Sequence, residues 1–182
     1  MNYYGAKELA ESFQTVRKNT ILIAEEIPEE KYGFRAAADT RSVAETLVHI
    51  VAAPSFQHRI HAVERRTTLE GFDFASLLQQ TLADEKQPRS KAQLLEMLRH
   101  GGEQWASWLS GLTDEVLAER VNMRPGMTPA SKSRFEMILG VKEHEMHHRA
   151  QLMLIERMLG MVPHMTREMQ ARMAQASGAA KA

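Results

Sequence analysis

The sequence predicts an all-α chain: a four-helix bundle with a short C-terminal helix. Three observations carry that prediction. Apolar residues recur at three- and four-residue steps along four long segments, no segment sustains the alternation of a half-buried strand, and the connections differ in length. The chain has 182 residues, within the roughly 100–200 residues of one domain. A chain of this size buries about 70% of its unfolded surface, enough for a core without staples. The bundle is assigned to residues 1–175 and a disordered tail to residues 176–182, which offer nothing to bury.

The first helix, residues 4–26, places Leu9, Phe13, Val16, Thr20, Ile23 and Ile27 on one side and exits at Pro28. The second opens on Ser42-x-x-Glu45, a capping box, and turns Val43, Leu47, Ile50 and Val51 inward. It extends to about Glu64, with a kink expected at Pro54. Residues 67–88 read as a loose connection whose apolar patch (Phe72, Phe74, Leu77, Leu78, Leu82) suits a helical turn or two. Its length leaves room for a crossover.

The third helix, residues 91–112, carries Leu94, Leu95, Leu98, Trp105, Trp108 and Leu109. Gly101 and Gly102 weaken its middle by about 1 kcal/mol each relative to alanine. Residues 120–129 read as a loop, given Asn122, Pro125, Gly126 and Pro129. The fourth helix starts around Thr128 or Ser131 and stops before Gly160; Phe135, Ile138, Leu139, Val141, Met146, Leu152, Ile155 and Leu159 form its apolar side. A last segment, residues 166–175, aligns Met165, Met169 and Met173 on one stripe. The twelve methionines suit an adaptable core ahead of a methionine-lined pocket.

Composition narrows the function. With 23 basic and 23 acidic side chains and a pI near 7.1, the chain lacks the basic excess that nucleic acids and membrane surfaces reward. Neither partner is expected. It has no cysteine, hence no disulfide, no thiolate ligand and no cysteine nucleophile. No apolar run approaches the 18 or so residues of a membrane span, and the N-terminus lacks the basic and apolar regions of an export signal. The expected location is the cytoplasm.

Histidine placement carries the chemistry. Residues four apart on a helix differ by about 40° around the axis, so His144 and His148 stack on one face and aim at one point. They make a chelating half-site for a divalent ion such as Zn, Ni, Fe or Mn. His147 points about 60° away from His144 and suits the same ion poorly. A third ligand has to come from another element. His49 is the best candidate, because it sits in the apolar run Thr46-Leu47-Val48-His49-Ile50-Val51, where an unsatisfied polar group costs roughly 1–3 kcal/mol. Each feature also has an ordinary reading: a satisfied core histidine for His49, a solvated pair for His144 and His148. His58, His61, His100 and His164 lie in less suitable surroundings.

Two other metal signatures touch the same residues. His144-Glu145-Met146-His147-His148 matches H-E-x-x-H, the zinc-protease signature with Glu145 as general base, but Gln151 and Leu154 break the longer metzincin form. No strand is available to hold a peptide. A di-iron bundle needs two Glu-x-x-His motifs on different helices, and Glu145-x-x-His148 is the only one.

The run Asp39-Thr40-Arg41-Ser42-Val43-Ala44-Glu45-Thr46-Leu47-Val48-His49-Ile50, followed on the fourth helix by His144-x-x-His147-His148-Arg149-Ala150-Gln151, resembles the DinB/YfiT-like metalloprotein superfamily. The resemblance spans about residues 3–160; Ala150 stands where many members carry glycine. It implies a four-helix bundle, a metal triad of His49, His144 and His148, and a homodimer. It also implies a transferase or isomerase that uses a low-molecular-weight thiol such as bacillithiol, mycothiol or glutathione on a small-molecule substrate. A chain without cysteine suits that chemistry, since the thiol then arrives as a cosubstrate. Three neutral histidines also leave coordination positions open. The alternative is a non-catalytic bundle that binds metal or a small ligand. Around the triad, Glu45 either orients His49 or completes its capping box, Glu143 and Glu145 read as solvated, and His147 reads as a polar contact ahead of a proton shuttle.

Overall fold

The structure, a computed structural model, describes residues 4–179. Its helices run in the order α1 (Ala6–Glu26), α2 (Val43–His58), α3 (Phe74–Glu85), α4 (Lys91–Ser110), α5 (Asp114–Ala118), α6 (Arg134–Met158) and α7 (His164–Ala179). A two-stranded antiparallel ribbon, β1 (Arg120–Asn122) with β2 (Ser131–Ser133), separates α5 from α6. The fold is all-α, as the spacing predicts.

The same device starts three of the long helices. Ser42, Ser90 and Ser133 each accept a hydrogen bond from the backbone N–H of the third residue on, and the side chains of Glu45, Gln93 and Glu136 accept one in return from the serine backbone N–H. The last of these sets the start of α6 later than the sequence suggests, because residues 131–133 are held in β2. At its far end, Met161 N–H donates to Glu156 C=O and Gly160 N–H to Arg157 C=O. That closure needs a left-handed residue, and Gly160 supplies it at φ +80°.

Packing places the C-terminal end of α1 (Ile23) beside the N-terminal ends of α2 (Val43, Leu47) and α4 (Leu94, Leu98) and the C-terminal end of α6 (Leu152, Ile155). Helices α1 and α6 therefore run one way and α2 and α4 the other. α4 and α6 each pack on both α1 and α2. Two parallel neighbours such as α2 and α4 cannot be joined by a tight turn. The long connection between them is the crossover, and α3 runs back along α2 within it. A second core layer (Leu9, Phe13, Trp105, Leu109, Ile138, Val141) fills the other half of the bundle.

Several local expectations need correction. The connection over residues 67–88 holds a three-turn helix rather than a turn or two, started by Asp73 accepting from Ser76 N–H. α2 holds Pro54 inside it and continues as a π-turn at Arg59–Val63, ending near Glu64 as expected. The stretch taken as a loop contributes β1. Gly102 does more than weaken α4, since a Cβ there would stand 2.9 Å from Arg17 Cγ. No methionine among the described residues is fully buried, but Met97, Met153, Met123 and Met137 pack, partly buried, against the core clusters. Met169 and Met173 are exposed on α7, which reaches Ala179 instead of stopping near residue 175. Of the expected tail, residues 180–182 lie outside the described residues. No helix among the described residues is long and apolar enough to cross a membrane.

One core group opposes folding at neutral pH. Glu156 is fully buried with no partner on either carboxylate oxygen. Burial, followed by the charge of nearby Glu26, pushes its pKa up from 4.5 to about 7. Between those values the folded chain holds a proton that the unfolded chain releases, so this group's contribution to stability falls as pH rises from 4.5 to about 7 and stays low above. Glu156→Gln, neutral at every pH, is expected to raise stability by about 1–3 kcal/mol at pH 8 and little at pH 4. Denaturant titrations at the two pH values check this.

Candidate metal centre

The triad residues sit where two antiparallel rods face each other. His49 lies in the second turn of α2, and His144 and His148 occupy successive turns of α6. The structure brings all three together, with His144 Nε2 at 3.0 Å from His49 Nε2 and 3.1 Å from His148 Nε2. One ring nitrogen from each lies within 4.8 Å of the others. His147 is left outside this group; it is exposed, and its Nε2 meets Gln151 Nε2 at 3.2 Å.

The partners of the outer ring nitrogens decide where the protons are. His49 Nδ1 donates to Glu85 Oε1 at 2.7 Å, and the other oxygen of Glu85 accepts from Arg41 Nε at 2.8 Å. His148 Nδ1 donates to Gln151 Oε1 at 2.8 Å. Each of these rings thus carries its proton on Nδ1 and turns a bare Nε2 lone pair toward His144. A proton on His144 Nε2 serves one of those lone pairs well, whereas a cation serves all three nitrogens. Ligand nitrogens about 2.0–2.1 Å from a tetrahedral ion stand about 3.3 Å apart, so the two contacts of His144 need to lengthen by only a few tenths of an ångström. The residues fit a divalent metal. One support is missing: His144 Nδ1 is buried and has no partner.

Electrostatics keep the rings neutral. Burial, then the neighbouring His148 and His49, pushes His144 down to about 4. Burial likewise pushes His148 to about 4, against the opposing bond to Gln151. His49 is lowered by burial and then by Arg41, with Glu85 pulling the other way. Three uncharged imidazoles are what a cation requires, because protonated rings have no lone pair to give.

Space is available on both sides. A cavity of about 340 Å³ between α2, α3 and α6 is lined by His49 and His144 with Phe56, Leu78 and Met137. A wider one of about 880 Å³ opens beside His148 and is lined by Arg35, Arg41, Glu45 and Glu85.

Of the two readings of Glu45 the structure gives the capping-box one: it closes that box and binds Arg35 Nη2 at 2.6 Å rather than orienting His49. The orienting carboxylate is Glu85, which sequence reasoning missed. The apolar patch ahead of it signals a helix, yet nothing local says that this helix returns to α2. Glu145 is not solvated. It is 1% exposed and held in a fork by Arg17, at 2.8 Å to Nε and 2.9 Å to Nη2. A carboxylate locked into the core on the far side of α6 cannot serve as the general base that the H-E-x-x-H match requires.

Fold and site together define a helical-bundle protein with a trihistidine centre open to two cavities. The chain belongs to the DinB superfamily, whose sequence model matches residues 12–152. Solved structures share the fold. A DinB-like protein from Bacillus subtilis is 23% identical, with a TM-score of 0.60 over 84% of this chain and 92% of that one. An uncharacterised protein from Clostridium difficile 630 gives 17% identity and a TM-score of 0.66 over 86% and 98%. A protein from Streptococcus pneumoniae gives 18% identity and 0.66 over 86% and 93%. No curated protein matches the sequence.

Proposed function

We propose that this chain is a divalent-metal-dependent enzyme of the DinB type that transfers a low-molecular-weight thiol to a small electrophile, or isomerises a substrate through such a thiol. The observation that carries the reading is the convergence, between two open cavities, of three Nε2 atoms, those of His49 and His148 left bare by their Nδ1 partners. His49, His144 and His148 hold the ion, Zn, Ni, Fe or Mn by ligand type. A divalent ion on three neutral ligands keeps its full charge and lowers the pKa of a thiol or water that reaches it. Glu85 and Gln151 fix the ring protons on Nδ1 and so keep the inner nitrogens free. The wider, polar cavity beside His148 is assigned to the thiol, and the apolar one to the electrophile. Small-molecule partners without nucleic acid or membrane, a cytoplasmic location and a homodimer belong to the same proposal, supported by the balanced charge and the family.

The test combines metal analysis of untagged protein with a thiol panel. Bacillithiol, mycothiol and glutathione are each offered with monochlorobimane, whose thioether is fluorescent. At least one thiol should react faster than without protein, and chelation should remove the gain. Metal binding without turnover by any thiol overturns the catalytic reading in favour of a metal-binding bundle. Failure to bind any divalent ion overturns both.

A further inference from the structure

The smaller cavity carries more than apolar walls. Four lining residues are polar: His49, His144, Thr81 and Gln57. Thr81 Oγ1 already donates to Leu77 C=O at 3.0 Å, and the histidines point their inner nitrogens at one another. Gln57 remains, and a chain of hydrogen bonds sets its orientation. Arg134, buried at the start of α6, donates from Nε to Glu119 Oε2 at 2.7 Å and from Nη1 to His61 Nδ1 at 2.9 Å. A guanidinium only donates, so His61 Nδ1 accepts and the ring proton sits on Nε2. That proton goes to Gln57 Oε1 at 2.9 Å. With its carbonyl taken, Gln57, which lines the cavity, has its NH₂ left without a partner among the described residues. Burial and the charge of Arg134 hold His61 down at about 4, so the relay keeps this form at neutral pH.

We infer that this cavity binds a small, mainly apolar ligand bearing a carbonyl-type acceptor oxygen, which the Gln57 amide receives beside His49 and His144. Glu119, Arg134 and His61 are positioning residues that present that donor. At about 340 Å³ the cavity lies at the small end of ligand pockets, which run from roughly 300 to 1,000 Å³ and pair apolar walls with a few placed polar groups. A free amide donor on such a wall rewards an acceptor and discriminates against a hydrocarbon of the same shape, which leaves the donor unpaired. Assigning this ligand as the electrophile rests on the thiol-transfer reading; the binding itself does not.

Acetophenone and α-methylstyrene differ by C=O against C=CH₂ at nearly constant shape. Each is titrated into metal-free and metal-loaded protein, and the Gln57 side-chain amide is followed by ¹H–¹⁵N NMR. Acetophenone should shift that amide and bind roughly three- to tenfold more tightly than the hydrocarbon, the worth of one hydrogen bond. Gln57→Leu, at a half-buried position, should equalise the two probes without weakening α-methylstyrene. In folded His61→Phe protein the preference should fall as well, and its survival there overturns the positioning chain. Neither probe binding, equal affinities in the parent, or a preference that outlives Gln57→Leu overturns the proposal. Because the metal-free protein is measured too, this result is separable from failure of the thiol-transfer reading.

Discussion

Replacing His49 with alanine is expected to remove divalent-metal binding, while the bundle keeps its helical content. The ring is half-buried rather than a core anchor, and its removal leaves Val48, Ile50 and Leu47 packed as before. It takes away the one ligand that α2 contributes, so His144 and His148 are left as a two-point chelate on a single helix. Glu85→Gln is the graded control. A glutamine carbonyl still accepts from His49 Nδ1, but the ion pair with Arg41 is lost. Loss of such outer support typically lowers metal affinity about 10–100-fold. Calorimetric titration with zinc should therefore rank the parent above Glu85→Gln and Glu85→Gln above His49→Ala. Equal affinities for parent and His49→Ala would sink the triad.

The second large effect concerns folding. Arg17 and Glu145 are 4% and 1% exposed at the side chain, and Arg17 Nη1 also donates to Leu98 C=O at 2.8 Å. Glu145→Leu leaves a guanidinium buried without its counter-charge, which costs about 3–5 kcal/mol. Domains hold only about 5–15 kcal/mol in all, so this variant is expected to unfold at markedly lower denaturant. The double variant Arg17→Met/Glu145→Leu should recover a large part of the loss, because both desolvation penalties disappear together. Urea midpoints for the two single variants and the double variant decide it. No recovery in the double variant would mean that the pair contributes through packing alone.

The placement of this pair explains why the sequence misassigns Glu145. Between His144 and His148, a glutamate reads as solvated, or as the base of an H-E-x-x-H signature. Yet one step along a helix turns a side chain by about 100°, and here that step carries Glu145 from the metal side of α6 to the face packed on α1. The charge of Arg17 on α1 makes that burial tolerable, and Arg17 fits across α4 only because Gly102 has no side chain. Each of these residues is unremarkable by itself in the sequence.

Other features were legible for equally physical reasons. Apolar spacing at three and four residues reports which face of a helix is buried, so the four long helices and the inward sides of α1 and α4 could be read directly. The capping box at Ser42 and the glycine after Leu159 are local hydrogen-bond devices, and local devices survive in sequence. His144 and His148 are one turn apart on one helix, so their shared face is also a local fact. The methionines divide between core edges (Met97, Met153, Met123, Met137) and exposed positions such as Met169 and Met173, because their adaptability suits edges and surfaces as well as cores.

Helix periodicity and termini are set by bonds within a few residues, which is why the sequence alone determined the all-α class, the number of long helices and the paired histidines of α6. The tertiary structure alone decided which helices face each other, and with that the meeting of His49 with His144, the return of Glu85 along α2, the burial of Glu145 against Arg17 and the orientation of Gln57 through His61 and Arg134. Those contacts join residues tens of positions apart, and their geometry follows from packing the whole bundle rather than from any local preference of the chain.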